Sequence, residues 1–70
     1  MKAFSLVGVD GNAYSIMVYT ANALETAKLG DKVDEMYEKA TSSDYYHLIA
    51  VCDDYVNMAN EALGLEEEYE

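Results

Sequence analysis

Between Asp10 and Glu25 no side chain is charged, whereas the entire net charge of −10 falls after Gly30. Up to Gly30 the acids Asp10 and Glu25 are balanced by Lys2 and Lys28; from Asp31 onward twelve acids face Lys32 and Lys39. An uncharged, largely apolar stretch is driven out of water, because burying apolar surface is worth roughly 25 cal/mol per Å². Segments crowded with carboxylates must keep one face solvated, because an unpaired buried charge is prohibitively costly. The layout therefore predicts an uncharged central helix wrapped by later segments with acidic outer faces.

Seventy residues suffice for one small domain, expected to span 1–65, with 66–70 as an acidic, disordered tail because its four glutamates repel one another. A chain of this size buries only about 60% of the surface its unfolded form exposes, so its core is marginal. The single Cys52 rules out an internal disulfide and a Cys-rich zinc site. Helix packing or self-association must supply the stability instead. No run of 18 apolar residues is present, and the N-terminal residues lack the pattern of a signal peptide. A lone cysteine without an export signal fits the cytoplasm. A pI near 4.1 sets the chain against phosphate backbones and anionic lipid, so direct binding to nucleic acid or membrane is not expected.

Residues Ala3 to Val9 are rich in branched and aromatic side chains and suggest a short strand or extended lead-in. A single strand must lie across helices or pair with its own copy in a dimer, which makes Phe4 and Leu6 the candidate dimerisation residues. Asp10-Gly11-Asn12 is turn chemistry, and Asn12 can cap a helix from Ala13 to about Lys28. That helix is apolar nearly all round, the mark of a buried one. Gly30 fits the position just past its end, and Asp31 the cap of the next helix.

The second helix carries Val33, Met36, Tyr37 and Ala40 at helical spacing, with Asp34, Glu35, Glu38 and Lys39 outside. Thr41-Ser42-Ser43 breaks it. Ser42 or Ser43 then caps a third helix with Asp44 in its first turn. Tyr45, Leu48, Ile49, Cys52, Tyr55, Val56, Ala59 and Leu63 form its apolar stripe, with His47, Asp54, Asn57 and Glu61 on the far face. Gly64-Leu65 marks a Schellman stop. The fold class is mainly α, a three-helix up-down-up bundle with a short N-terminal extended segment. In that topology the first and third helices are parallel, so the Asp10–Asn12 turn and the Ser42–Asp44 cap share one end.

Leu6-Val7-Gly8-Val9-Asp10-Gly11-Asn12-Ala13-Tyr14-Ser15-Ile16-Met17 resembles the opening of a group of small uncharacterised bacterial and phage-borne proteins with an Asp-Gly-Asn-Ala-aromatic turn. Ala40-Thr41-Ser42-Ser43-Asp44-Tyr45-Tyr46-His47-Leu48-Ile49 is similar to the group's second signature, an Ala-x-Ser-Gly-Asp-Tyr-x-x-Leu-Leu segment, with Ser43 in place of Gly and Ile49 in place of the second Leu. The resemblance reaches about Tyr55. It implies small size and an origin in mobile elements, and transfers no catalytic residue.

The candidate binding residues are Asp10, Asn12, Asp44, His47 and Tyr46, around the shared helix ends. Asp10, Asn12, Asp44 and His47 hold oxygen and nitrogen donors that a metal or small ligand could use, but helix capping accounts for them better. No metal ligand, cofactor or catalytic residue is assigned. His47 and Cys52 stand about 140° apart around a helix and cannot act as a base–nucleophile pair. Tyr14, Tyr37, Tyr45 and Tyr55 fall on apolar faces and are expected in the core; Tyr19 and Tyr46 fit those stripes less well and suit contact with a partner.

The function these features favour is that of a non-enzymatic acidic interaction module, homodimeric and binding an unknown protein partner. A nucleic-acid mimic is the alternative, requiring Asp34, Glu35, Glu38, Asp53, Asp54 and Glu61 on one continuous surface.

Overall fold

The computed structural model describes residues 2–65; the acidic tail named above lies outside the described residues. Three helices form the body: α1 (Ala13–Thr26), α2 (Val33–Ala40) and α3 (Tyr45–Leu63), with a 3-10 turn at Gly30–Lys32 leading into α2. Every pair of helices packs together. The bundle is up-down-up. Tyr45 at the start of α3 meets Gly11 just before α1, and Cys52 meets Thr20 midway, so α1 and α3 run parallel. Along α2 the order reverses: Glu35 meets Tyr55, while Lys39 meets His47.

The core is built from Ile16, Thr20, Ala23 and Leu24 of α1, Met36 and Ala40 of α2, and Leu48, Cys52, Tyr55, Val56 and Ala59 of α3. Only one face of the uncharged stretch is thus interior: Ile16, Thr20, Ala21, Ala23 and Leu24 are buried, whereas Tyr14 and Asn22 are exposed. Helix α1 is therefore not enclosed all round as expected, and later segments do not cover it alone. The N-terminal segment covers another part of α1: the Phe4 ring sits edge-on to Tyr19 at 5.9 Å, and the Ser5 N–H donates to the Tyr19 hydroxyl at 2.8 Å. Tyr19 is therefore a half-buried packing residue rather than a contact residue for a partner.

No strand is present among the described residues. The expected run to Val9 is broken by a turn in which Val9 N–H donates to the Leu6 carbonyl at 3.2 Å and Gly8 takes a φ of 85°, a conformation costly for any side chain. Phe4 finds its partner in a side chain instead. The Asn60 carboxamide accepts from the Phe4 N–H and donates to the Phe4 carbonyl, both at 2.8 Å, supplying the pair of bonds that a neighbouring strand would give. Phe4 and Leu6, named above for a dimer, pack against this chain's own core.

Helix α1 ends at Thr26, two residues before the expected stop, and the glycine is not its terminator. Lys28 takes the left-handed conformation at φ 62°, while Leu29 N–H donates to the Leu24 carbonyl at 2.8 Å and Lys28 N–H to Glu25 at 3.0 Å. Leu29 explains the choice: closing the helix here turns it onto the core, which offsets the cost at Lys28. Gly30 opens the 3-10 turn, and Asp31 caps nothing, because the turn's own bonds from Lys32 and Val33 N–H occupy those donors. Gly64 does end α3 in a Schellman motif, at φ 69° with Leu65 N–H on the Asn60 carbonyl at 2.8 Å. The α3 cap is Asp44 rather than Ser42 or Ser43.

Candidate functional site

The end where α1 and α3 both begin carries the large exposed aromatics Tyr14, Tyr45 and Tyr46 beside a set of polar caps. Its frame is a chain of caps. Asp10 Oδ1 accepts from Asn12 N–H at 2.9 Å, Asn12 Oδ1 from Tyr14 N–H at 2.8 Å, and Asp44 Oδ1 from His47 N–H at 2.9 Å. Each aspartate or asparagine thus satisfies a donor that helix or turn geometry leaves open. Tyr45 ties the two starts together, its hydroxyl donating to the Gly11 carbonyl.

The expected convergence of the two segments is therefore real, and a tyrosine makes it. Asp10, Asn12 and Asp44 are placed at this end as capping residues. His47 turns toward α2 instead: its Nε2 lies 2.9 Å from the Lys39 carbonyl and 3.1 Å from Ser42 Oγ. A carbonyl only accepts, so Nε2 carries the proton and closes the corner between α2 and α3. Among the described residues no group of three or more His, Cys, Asp or Glu side chains is placed to hold a metal ion.

Tyrosines divide differently from the stripe expectation. Tyr55 is buried, but Tyr14 is 69% exposed, Tyr45 43% and Tyr46 81%. Both exposed stripe positions, Tyr14 and Tyr45, lie in the first turn of their helices, where the partial burial of a neighbour such as Ala13 does not extend to the ring. Tyr45 and Tyr46 stand edge-to-face at 6.1 Å. Tyr14, Tyr45 and Tyr46 consequently leave three rings at one end of the bundle, in company with the exposed carboxylates of Asp10 and Asp44.

Cys52 and His47 have separate neighbours. Cys52 is fully buried, and burial pushes its thiol pKa up, an effect partly countered by a hydrogen bond to Thr20. It is a packing residue with a suppressed thiolate. Of the acids a phosphate mimic would need, Asp34, Glu38, Asp54 and Glu61 are exposed, but Glu35 accepts from the Tyr55 hydroxyl and pairs with Lys39 at 3.9 Å. The Tyr55 bond, more than the nearby lysines, holds the Glu35 carboxyl below its ordinary value.

Two working residues escaped the sequence pattern. Asn60 sits on the buried side of α3 beside Ala59 and Val56, where an amide must find a backbone partner; that polar intrusion was the available signal. Tyr45 gave none, since a tyrosine in a stripe looks the same whether it fills a core or ties a loop.

Compared with known proteins, the chain matches no family model, no curated protein and no solved structure.

Proposed function

We propose that this chain is a small, non-enzymatic, acidic helical module that binds another protein in the cytoplasm. The observation that carries the reading is the exposure of Tyr14, Tyr45 and Tyr46 at one end of a domain whose core is small. Tyrosine is enriched at the centre of protein interfaces, where its ring adds contact area at little entropic cost. Tyr45 is already fixed by its bond to Gly11, so part of the surface is preorganised. The non-enzymatic reading is supported by the chemistry on hand: the one thiol is sealed in the core and the one imidazole closes a helix corner. An unpaired buried cysteine suits a reducing compartment, and no helix among the described residues is long and apolar enough to cross a membrane.

The partner we propose is a different protein, because the residues best suited to self-pairing, Phe4 and Leu6, are packed within their own chain. Sedimentation at high micromolar concentration should return a monomer; a dimer would redirect the reading to self-association. The binding test compares immobilised wild type with a Tyr14→Ala/Tyr46→Ala variant in native cell extract. A protein retained by the first and lost by the second supports the reading, and equal retention on both removes its basis.

A further inference from the structure

We infer that the tyrosine face at the start of α1 and α3 takes an arginine-rich segment of its partner, guanidinium groups stacking on the rings and pairing with Asp10 and Asp44. This rests on the protein-binding reading above and specifies the chemistry of the partner. Charge complementarity selects it. The chain carries 14 acids against 4 bases, and the two carboxylates beside the rings are exposed.

Each carboxylate uses Oδ1 for its cap, which leaves Oδ2 to a donor from outside. Two helix N-termini at this end contribute about half a positive charge apiece, and two aspartates contribute a full negative charge apiece, so the end remains attractive to cations. The Tyr46 hydroxyl has no hydrogen bond among the described residues, and its exposed ring presents a π face. Cationic groups bind such faces, and the planar guanidinium adds stacking and paired hydrogen bonds that an ammonium does not. A nucleic acid would bring phosphate against both aspartates and is disfavoured by the same charges.

The experiment titrates the isotope-labelled full chain with three synthetic peptides of equal length: arginine-rich, lysine-rich, and neutral glycine-serine. The arginine peptide should move the backbone resonances of residues 10–14 and 44–47 saturably, and bind more tightly than the lysine peptide. The Tyr14→Ala/Tyr46→Ala variant should bind about tenfold more weakly, as expected for the loss of two exposed ring contacts. Its melting temperature, close to that of the wild type because neither ring belongs to the core, shows that the fold survives.

Shifts of equal size at Asp34, Glu38, Asp54 and Glu61 would overturn the inference by showing general attraction to acid. So would equal affinity of the variant, or saturable binding of the neutral peptide at the same face. If the arginine peptide ignores this face while the double variant still loses its captured cellular protein, this inference falls and the protein-binding reading stands. If capture is also unchanged, both fall.

Discussion

The two seams of α3 are made differently. Toward α1 the contact is apolar, with Ile16, Leu24, Val56 and Ala59 among the buried residues and Thr20, its hydroxyl on the Ile16 carbonyl, close to Cys52. Toward α2 the buried part is Met36, Ala40 and Tyr55, and its edge is ionic: Tyr55 donates to Glu35, Lys39 lies 5.8 Å from the Tyr55 ring, and His47 reaches the Lys39 carbonyl. The first seam has no ionisable group that titrates near neutrality. The second is bordered by the Glu35 carboxylate, whose charge is lost in acid. An eight-residue helix such as α2 cannot persist by itself, so it relies on that edge and on its few buried side chains. The difference separates a permanent scaffold, α1 with α3, from a conditional third element.

The largest effect belongs to the apolar seam. Leu24→Ala should remove about 2–5 kcal/mol of stability in chemical denaturation, enough to unfold much of so small a domain. A loss under about 1 kcal/mol would mean that the seam is not close-packed and the comparison fails. Asn60→Ala comes next. It leaves the part-buried Phe4 N–H and carbonyl without partners, and should cost about 1–3 kcal/mol by the same measurement. It should also release the N-terminal segment to proteolysis, which an unchanged digestion pattern would contradict.

The ionic edge gives a smaller and pH-dependent effect. Glu35 has a lowered pKa in the folded chain, so its contribution is complete above its unfolded value near 4.5 and is lost as pH falls through the folded value. Tyr55 is shifted the other way, raised by burial and then by its bond to Glu35, so its hydroxyl donates throughout the neutral range and fails only in strong alkali. Tyr55→Phe should cost about 0.5–1.5 kcal/mol at pH 7 and less once the pH has fallen through the lowered Glu35 value, where protonation weakens the wild-type bond. Melting curves across pH 3–7 measure this. An identical deficit at every pH would show that Glu35 is not the partner that matters.

How far the sequence reveals this architecture differs between the same regions. The uncharged apolar run of α1 and the long stripe of α3 are enough to locate the core, and the up-down-up topology supplies the parallel pairing. Helix ends resist such reading. Gly64 is visible as a stop, yet Lys28 performs the same turn for α1 with no marking in the sequence, since what decides there is the burial of Leu29. At the candidate site Asp10, Asn12 and Asp44 are legible as capping chemistry, while the exposure of Tyr14 and Tyr45 depends on what lies above a helix's first turn. A stripe carries no such information. The smallest effect follows from this contrast: Lys28→Gly should gain up to about 1 kcal/mol by relieving the left-handed backbone. Destabilisation on denaturant unfolding would show instead that the Lys28 side chain contributes to the fold.

Native-state hydrogen exchange compares the two seams most directly. Amides from Ile16 to Leu24 and from Leu48 to Asn60 should exchange last and together, at the free energy of global unfolding, with those of Val33–Ala40 released earlier through a separate opening. Equal protection of α2, or earlier loss from the middle of α1, would contradict the division into a lasting pair and a conditional third helix.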